Sequence, residues 1–151
     1  MEFVTNNELE TIELGKKLGS ILKGGSVVLL IGDLGTGKTQ FSKGIGQGLG
    51  VKKIINSPTF TIVKEYRGNK LNFYHLDLYR LDGLNNDYDL DEYIEANDSV
   101  CAIEWPNQIN EIIPKEYIEV LLTKIDQNKR NIKINFSPRY EYLMEALKCI
   151  L

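Results

Sequence analysis

The run Gly32-Asp33-Leu34-Gly35-Thr36-Gly37-Lys38-Thr39 carries the plainest chemistry in this chain. A glycine, four variable residues and then Gly-Lys-Thr form a pattern that grips phosphate. Glycines reach backbone dihedrals closed to other residues and let the main chain approach an anion. Successive N–H groups then turn inward as a nest. A helix starting near Lys38 adds its unpaired N-terminal donors and its dipole. Lys38 is expected at the β- and γ-phosphates, the Thr39 hydroxyl on Mg²⁺, and Gln40 beside them.

Such a loop needs an acid to hold the metal and orient water. Two acids end apolar runs: Asp77 in Phe73-Tyr74-His75-Leu76-Asp77, and Glu104 in Val100-Cys101-Ala102-Ile103-Glu104. A carboxylate after a parallel strand sits at the sheet's carboxyl edge, where ligands collect. Glu104 is the better metal ligand by context, because its run is short and wholly apolar before the acid. Asp77 lies in the second arm of an expected hairpin, which leaves its direction open. In Ser57-Pro58-Thr59-Phe60, Pro58 stiffens the turn. The Thr59 hydroxyl there either senses the γ-phosphate or the metal, as switch segments do, or caps a plain turn. His75, the only histidine, reads as a buried or partly buried structural group more than as a catalytic base. Trp105 reads as packing or as a wall of the site, and Arg130 as a basic turn residue. Glu8 reads as a partner of a helix dipole.

The elements around these residues follow from their patterning. Residues 6–23 read as a helix capped by Asn6 or Asn7, and 26–31 as a buried parallel strand. Residues 38–49 read as a helix weakened by Gly44, Gly46 and Gly48. Runs 59–67 and 71–79 read as a hairpin around Gly68-Asn69-Lys70. A loop at 82–89, a short helix at 89–96 and a buried strand at 100–103 follow. A second hairpin spans 117–125 and 131–136, and a helix closes the chain over 138–150. This alternation predicts an α/β fold: a mixed, mainly parallel central sheet flanked by helices, with antiparallel hairpin additions. The 151 residues are expected to form one domain.

The net charge of −3 argues against nucleic acid as the direct partner. Cys101 and Cys149 form no Cys-x-x-Cys pair and are expected as two buried thiols in a reducing compartment. The N-terminus lacks the pattern of a signal peptide and no apolar run is long enough to span a membrane, so a cytoplasmic protein is expected.

Taken together, the phosphate-binding run, Ser57-Pro58-Thr59-Phe60-Thr61, His75-Leu76-Asp77-Leu78-Tyr79-Arg80-Leu81 and Ile103-Glu104-Trp105-Pro106 resemble the TsaE (YjeE) family. That family is the ATPase component of the bacterial machinery that makes threonylcarbamoyladenosine in tRNA. The resemblance covers roughly residues 5–136 and rests on all four blocks in order. It implies a P-loop nucleotide-binding fold and an ATPase that is weak alone and stimulated by its partners TsaB and TsaD. In that system TsaD transfers the threonylcarbamoyl group to adenosine 37 of tRNA, so tRNA is met only through the complex. The resemblance further implies Thr39 and Glu104 as Mg²⁺ ligands, Asp77 as a catalytic or supporting acid and Thr59 in a switch-like loop. Glu8, Asn107 and Arg130 fall where the family closes around the nucleotide. Thr36 stands where the family usually has alanine, Gln40 where a second threonine is common, and the polar segment 83–89 departs from the pattern.

Two rival readings use the same loop. A small-molecule kinase needs an acceptor pocket and an arginine-rich lid, and the chain has only Arg67, Arg80, Arg130 and Arg139. A nucleotide-gated binding module would use ATP to order 57–61 as a docking face. A guanine-specific switch lacks its aspartate in both Asn69-Lys70-Leu71-Asn72 and Asn128-Lys129-Arg130-Asn131.

Overall fold

The computed structural model describes residues 1–57, 61–81 and 89–151. Its first helix, α1 (Glu8–Ile21), is started by Asn7, whose side chain accepts from the Glu10 amide at 2.9 Å. Glu10 returns the bond by accepting from the Asn6 amide at 2.6 Å. This reciprocal cap is why the helix begins at residue 8 and not at 6. Strand β2 (Val27–Ile31) is apolar throughout and buried over Val27–Leu30, so it lies in the sheet's interior. Strand β5 (Ser99–Glu104) is buried at every position, its terminal acid included.

The remaining strands are β1 (Glu2–Thr5), β3 (Val63–Arg67), β4 (Asn72–Asp77), β6 (Ile118–Lys124) and β7 (Arg130–Phe136). Among the described residues they join one seven-stranded sheet in the order β1-β7-β6-β2-β5-β4-β3. β2 runs parallel to β5 and β6, and β4 runs parallel to β5. β3, β7 and β1 pair antiparallel at the two sides. The result is the mixed sheet with a parallel centre that the patterning predicts.

Helices α1, α2 (Lys38–Gly48) and α4 (Tyr142–Ile150) cover one face, where Leu18, Phe41, Ile45 and Leu143 pack on Val28, Leu30 and Ala102. On the other face Leu90 and Ile94 of α3 (Leu90–Glu95) join Leu29, Leu76 and Ile103. The helix glycines have a packing reason. A Cβ on Gly44 would stand 2.1 Å from the Ile12 carbonyl oxygen, and one on Gly15 2.4 Å from that of Phe41. Backbone therefore meets backbone where α1 crosses α2.

Four expectations need correction. The β3 strand starts at Val63, not 59, because Ile62 takes φ 65° and breaks extended geometry. The closing helix is two pieces, a 3-10 turn at Pro138–Tyr140 and then α4. Cys149 is exposed on α4, and only Cys101 is buried. An unpredicted strand, β1, pairs with β7, and the terminal ammonium of Met1 donates to the Ile134 carbonyl at 2.8 Å. The loop expected at 82–89 falls, up to residue 88, outside the described residues. Among the described residues no helix is long and apolar enough to cross a membrane.

Candidate functional site

The glycine-rich segment leaves β2 at its carboxyl end and runs straight into α2. Gly35 and Gly37 take φ of 79° and 99°, a region that penalises any residue with a Cβ. Gly37 precedes α2, and its carbonyl accepts from the Phe41 amide at 2.9 Å. Gly37 offers no side-chain cap to α2. The first amides of a helix have no intrahelical acceptor, so anion-binding donors collect at this point.

They border a cavity of about 580 Å³. Glu8 and Thr11 of α1 line one side, with Leu34, Gly35 and Gly37 to Gln40 along the floor. Asp77, Tyr79 and Arg80 come from the end of β4, and Glu104 and Trp105 from the end of β5. Ser57, then Gln127 and Asn128 of the turn joining β6 to β7, and Arg130 at the start of β7 complete the described wall.

Lys38 is 5% exposed and sits under this cavity. Its Nζ donates to the carbonyls of Gly32 at 2.6 Å and Asp33 at 2.8 Å, and lies 4.4 Å from the Trp105 ring centroid. Burial pushes its ammonium below the ordinary 10.5, against the pull of Glu104, Asp77 and Asp33. Trp105 holds φ 59°, a left-handed conformation that is costly for a bulky residue. That turn brings its ring over Lys38 and to 4.9 Å from the ring of Tyr79. The wall reading of Trp105 is thus the one its placement favours.

The two acids stand side by side. β4 runs parallel to β5, which settles the direction of Asp77, and Asp77 is the register partner of Glu104. The Thr39 hydroxyl lies 3.4 Å from each Glu104 carboxylate oxygen. Asp77 accepts from the Tyr79 amide at 3.1 Å and from the Ser57 hydroxyl at 3.3 Å. His75 is fully buried, as expected, and its Nε2 lies 2.5 Å from Glu104 Oε2.

Residues 5–132 match the family model described as threonylcarbamoyl adenosine biosynthesis protein TsaE. The chain belongs to the TsaE family. A Bacillus subtilis relative, tRNA threonylcarbamoyladenosine biosynthesis protein TsaE, is 40% identical over 97% of this chain and 93% of its own length. A relative of the same name from Nostoc is 43% identical over 87% of this chain and 83% of its own. The crystal structure of Bacillus subtilis YdiB superposes with a TM-score of 0.84 at 37% identity, covering 98% of this chain and 93% of that one.

In this TsaE-family chain the remaining residues singled out from sequence fall as follows. Gly32 passes so close to β6 that a Cβ would lie 2.5 Å from the Leu122 carbonyl oxygen. The buried Thr36 hydroxyl donates to the Asp33 carbonyl at 2.9 Å, which tightens the loop. Arg130 donates from Nε to the Thr36 carbonyl and from Nη2 to the Gly35 carbonyl, each at 3.1 Å. Its Nη1 also holds its own turn, donating to the Asp126 carbonyl at 2.8 Å. Asn107 is exposed on the 3-10 turn Pro106–Ile109, two residues past Trp105, and is not among the described residues that line the cavity. Thr59 lies outside the described residues.

Thr11, Tyr79, Gln127 and Asn128 line the cavity without having been singled out. Tyr79 was within reach of sequence reasoning, two residues past an acid at a strand end. The turn residues were not. They arrive at the loop because β6 lies next to β2, a pairing no local pattern encodes.

Proposed function

We propose that this chain binds ATP with Mg²⁺ in the cavity at the carboxyl edge of the sheet and hydrolyses it in support of tRNA threonylcarbamoyladenosine formation. The observation that carries the reading is one juxtaposition. Lys38 and Thr39, at the start of α2, face two acids on adjacent parallel strands. The names of the relatives support the pathway, and the phosphate-binding pattern supports the nucleotide.

The donor set fits magnesium. A threonine hydroxyl and a carboxylate 3.4 Å apart, with a second carboxylate beside them, are hard oxygen ligands. Among the described residues no cluster of three or more His, Cys, Asp or Glu makes a protein-only cage. Magnesium is typically held by one or two carboxylates together with substrate phosphates and water. Thr39 and Glu104 would hold the ion, which when bound neutralises charge on the phosphate oxygens.

The chain's own groups do the rest. Loop amides and Lys38 grip the phosphate tail and stabilise charge as water attacks the γ-phosphoryl in line with the leaving oxygen. Asp77 orients the water, and Thr59 senses the γ-phosphate. Trp105 and Tyr79 shield the reacting end from bulk solvent. Arg130 already donates to loop carbonyls, so it serves the loop's shape more than the transition state. A cation supplied by a partner raises such rates by about 10³–10⁵. Slow hydrolysis alone and acceleration by TsaB and TsaD follow.

Reconstitution with TsaB, TsaD, tRNA and ATP tests the reading. Modified adenosine per TsaD should rise over many turnovers only with this chain, and Glu104→Ala should abolish the gain while still binding ATP. Sustained modification with Glu104→Ala would favour a nucleotide-gated module, and label transferred from ATP to a metabolite would favour a kinase.

A further inference from the structure

The only histidine in the chain lies inside β4, between β5 and the edge strand β3. His75 is 0% exposed and stacks on Phe73 at 5.9 Å between centroids. Among the described residues its buried Nδ1 has no hydrogen-bond partner. An unpaired buried polar atom costs stability, so the ring's other nitrogen must account for the residue.

That nitrogen meets Glu104. Nε2 lies 2.5 Å from Oε2 of a carboxylate that is itself 3% exposed. A carboxylate accepts, so the imidazole donates from Nε2, and Nδ1 is the atom left without a partner among the described residues. Both Glu104 oxygens then stand equally far from the Thr39 hydroxyl, 3.4 Å away. The carboxylate has one strong tether behind it and the cavity in front.

We propose that His75 is the positioning residue for Glu104, fixing the orientation in which that carboxylate faces Thr39 and thereby setting the site's affinity for a divalent cation. The inference rests on the nucleotide-site reading above and adds to it a residue that touches neither nucleotide nor metal. Groups that hydrogen-bond a ligating carboxylate typically change metal affinity by about 10–100-fold when removed.

Two measurements test it. ADP binding is titrated by calorimetry at stepped Mg²⁺ and with chelator. In His75→Phe the Mg²⁺ needed for half-maximal tightening should rise about 10–100-fold, with chelated ADP binding unchanged. His75→Gln, which keeps an amide donor, should recover much of the loss. An unchanged Mg²⁺ requirement in His75→Phe overturns the proposal. The second measurement needs no variant, because a single histidine gives a single imidazole spectrum. Nitrogen-15 labelling should show the proton on Nε2 in the native protein. Its signal should shift when Mg²⁺ is added to the ADP complex, and not when ADP is added alone. An unprotonated Nε2, or a signal indifferent to Mg²⁺, overturns the proposal even if His75→Phe fails to fold. ADP that binds under no condition sinks the site reading itself, and is distinguishable from ADP that binds with a normal Mg²⁺ requirement.

Discussion

At Lys38, burial and charge pull in opposite directions. The side chain is almost sealed, which lowers its proton affinity, while Glu104, Asp77 and Asp33 draw it back up. Burial wins in the protein without phosphate. The folded state therefore binds fewer protons than the unfolded chain between the lowered value and 10.5. Stability relative to Lys38→Met should rise with pH across that window and level off above it. Denaturant midpoints of both proteins against pH would check this, and a difference flat with pH would refute it. The same variant should lose about 10²-fold or more in phosphate release, as loss of one preorganised charge donor costs. At this scale the sequence was most informative. Spacing alone marked Lys38, Thr39 and the two acids, because each lies within a residue or two of an element's end. The link from His75 to Glu104 was invisible, since it joins residues on different strands.

Among the elements, α1 and α2 are held by glycines that look like faults in a helix. Their meaning is the crossing, where Gly44 lies against Ile12 and Gly15 against Phe41. Gly44→Ala should cost about 1–3 kcal/mol of overpacking, more than the roughly 1 kcal/mol alanine gains in helix propensity. A melting temperature several degrees lower is expected, with weaker nucleotide binding because α2 carries Lys38 and Thr39. The turn between β6 and β7 works on the loop from the other side. Asp126 accepts from the amides of Asn128 and Lys129, both at 2.8 Å, which shapes the turn and aims Arg130. Arg130→Ala removes two charge-assisted bonds to the loop. At about 1.5 kcal/mol for such a bond, the melting temperature should fall by several degrees, and ADP affinity should fall as the loop loses its shape. Calorimetry and thermal denaturation read the two effects separately. Most element types were legible from periodicity. The start of β3 was not, because the positive φ of Ile62 is set by its surroundings.

Over the whole molecule, strand order decides which distant residues meet. Placing β2 between β5 and β6 brings Glu104 to the loop from one side and the β6–β7 turn from the other. Strand β1 then closes the far edge on β7, and its Thr5 hydroxyl lies 2.7 Å from that of Thr11, which lines the cavity. None of this order is written in local patterns, whereas the alternation of strand and helix that requires a parallel centre is. Burial also separates the thiols. Cys101 is sealed in the core, which raises its proton affinity well above an ordinary thiol, while Cys149 is exposed. Iodoacetamide should label one thiol per native chain and two after denaturation, read by mass spectrometry.

The claim beneath these predictions is that the loop and the acids grip a nucleoside triphosphate through its phosphates. Calorimetric titration with a non-hydrolysable ATP analogue and Mg²⁺ tests it most directly. Saturable binding at one site per chain, weakened strongly by Lys38→Met, is the predicted result. Absence of binding, or binding that Lys38→Met leaves intact, would contradict it.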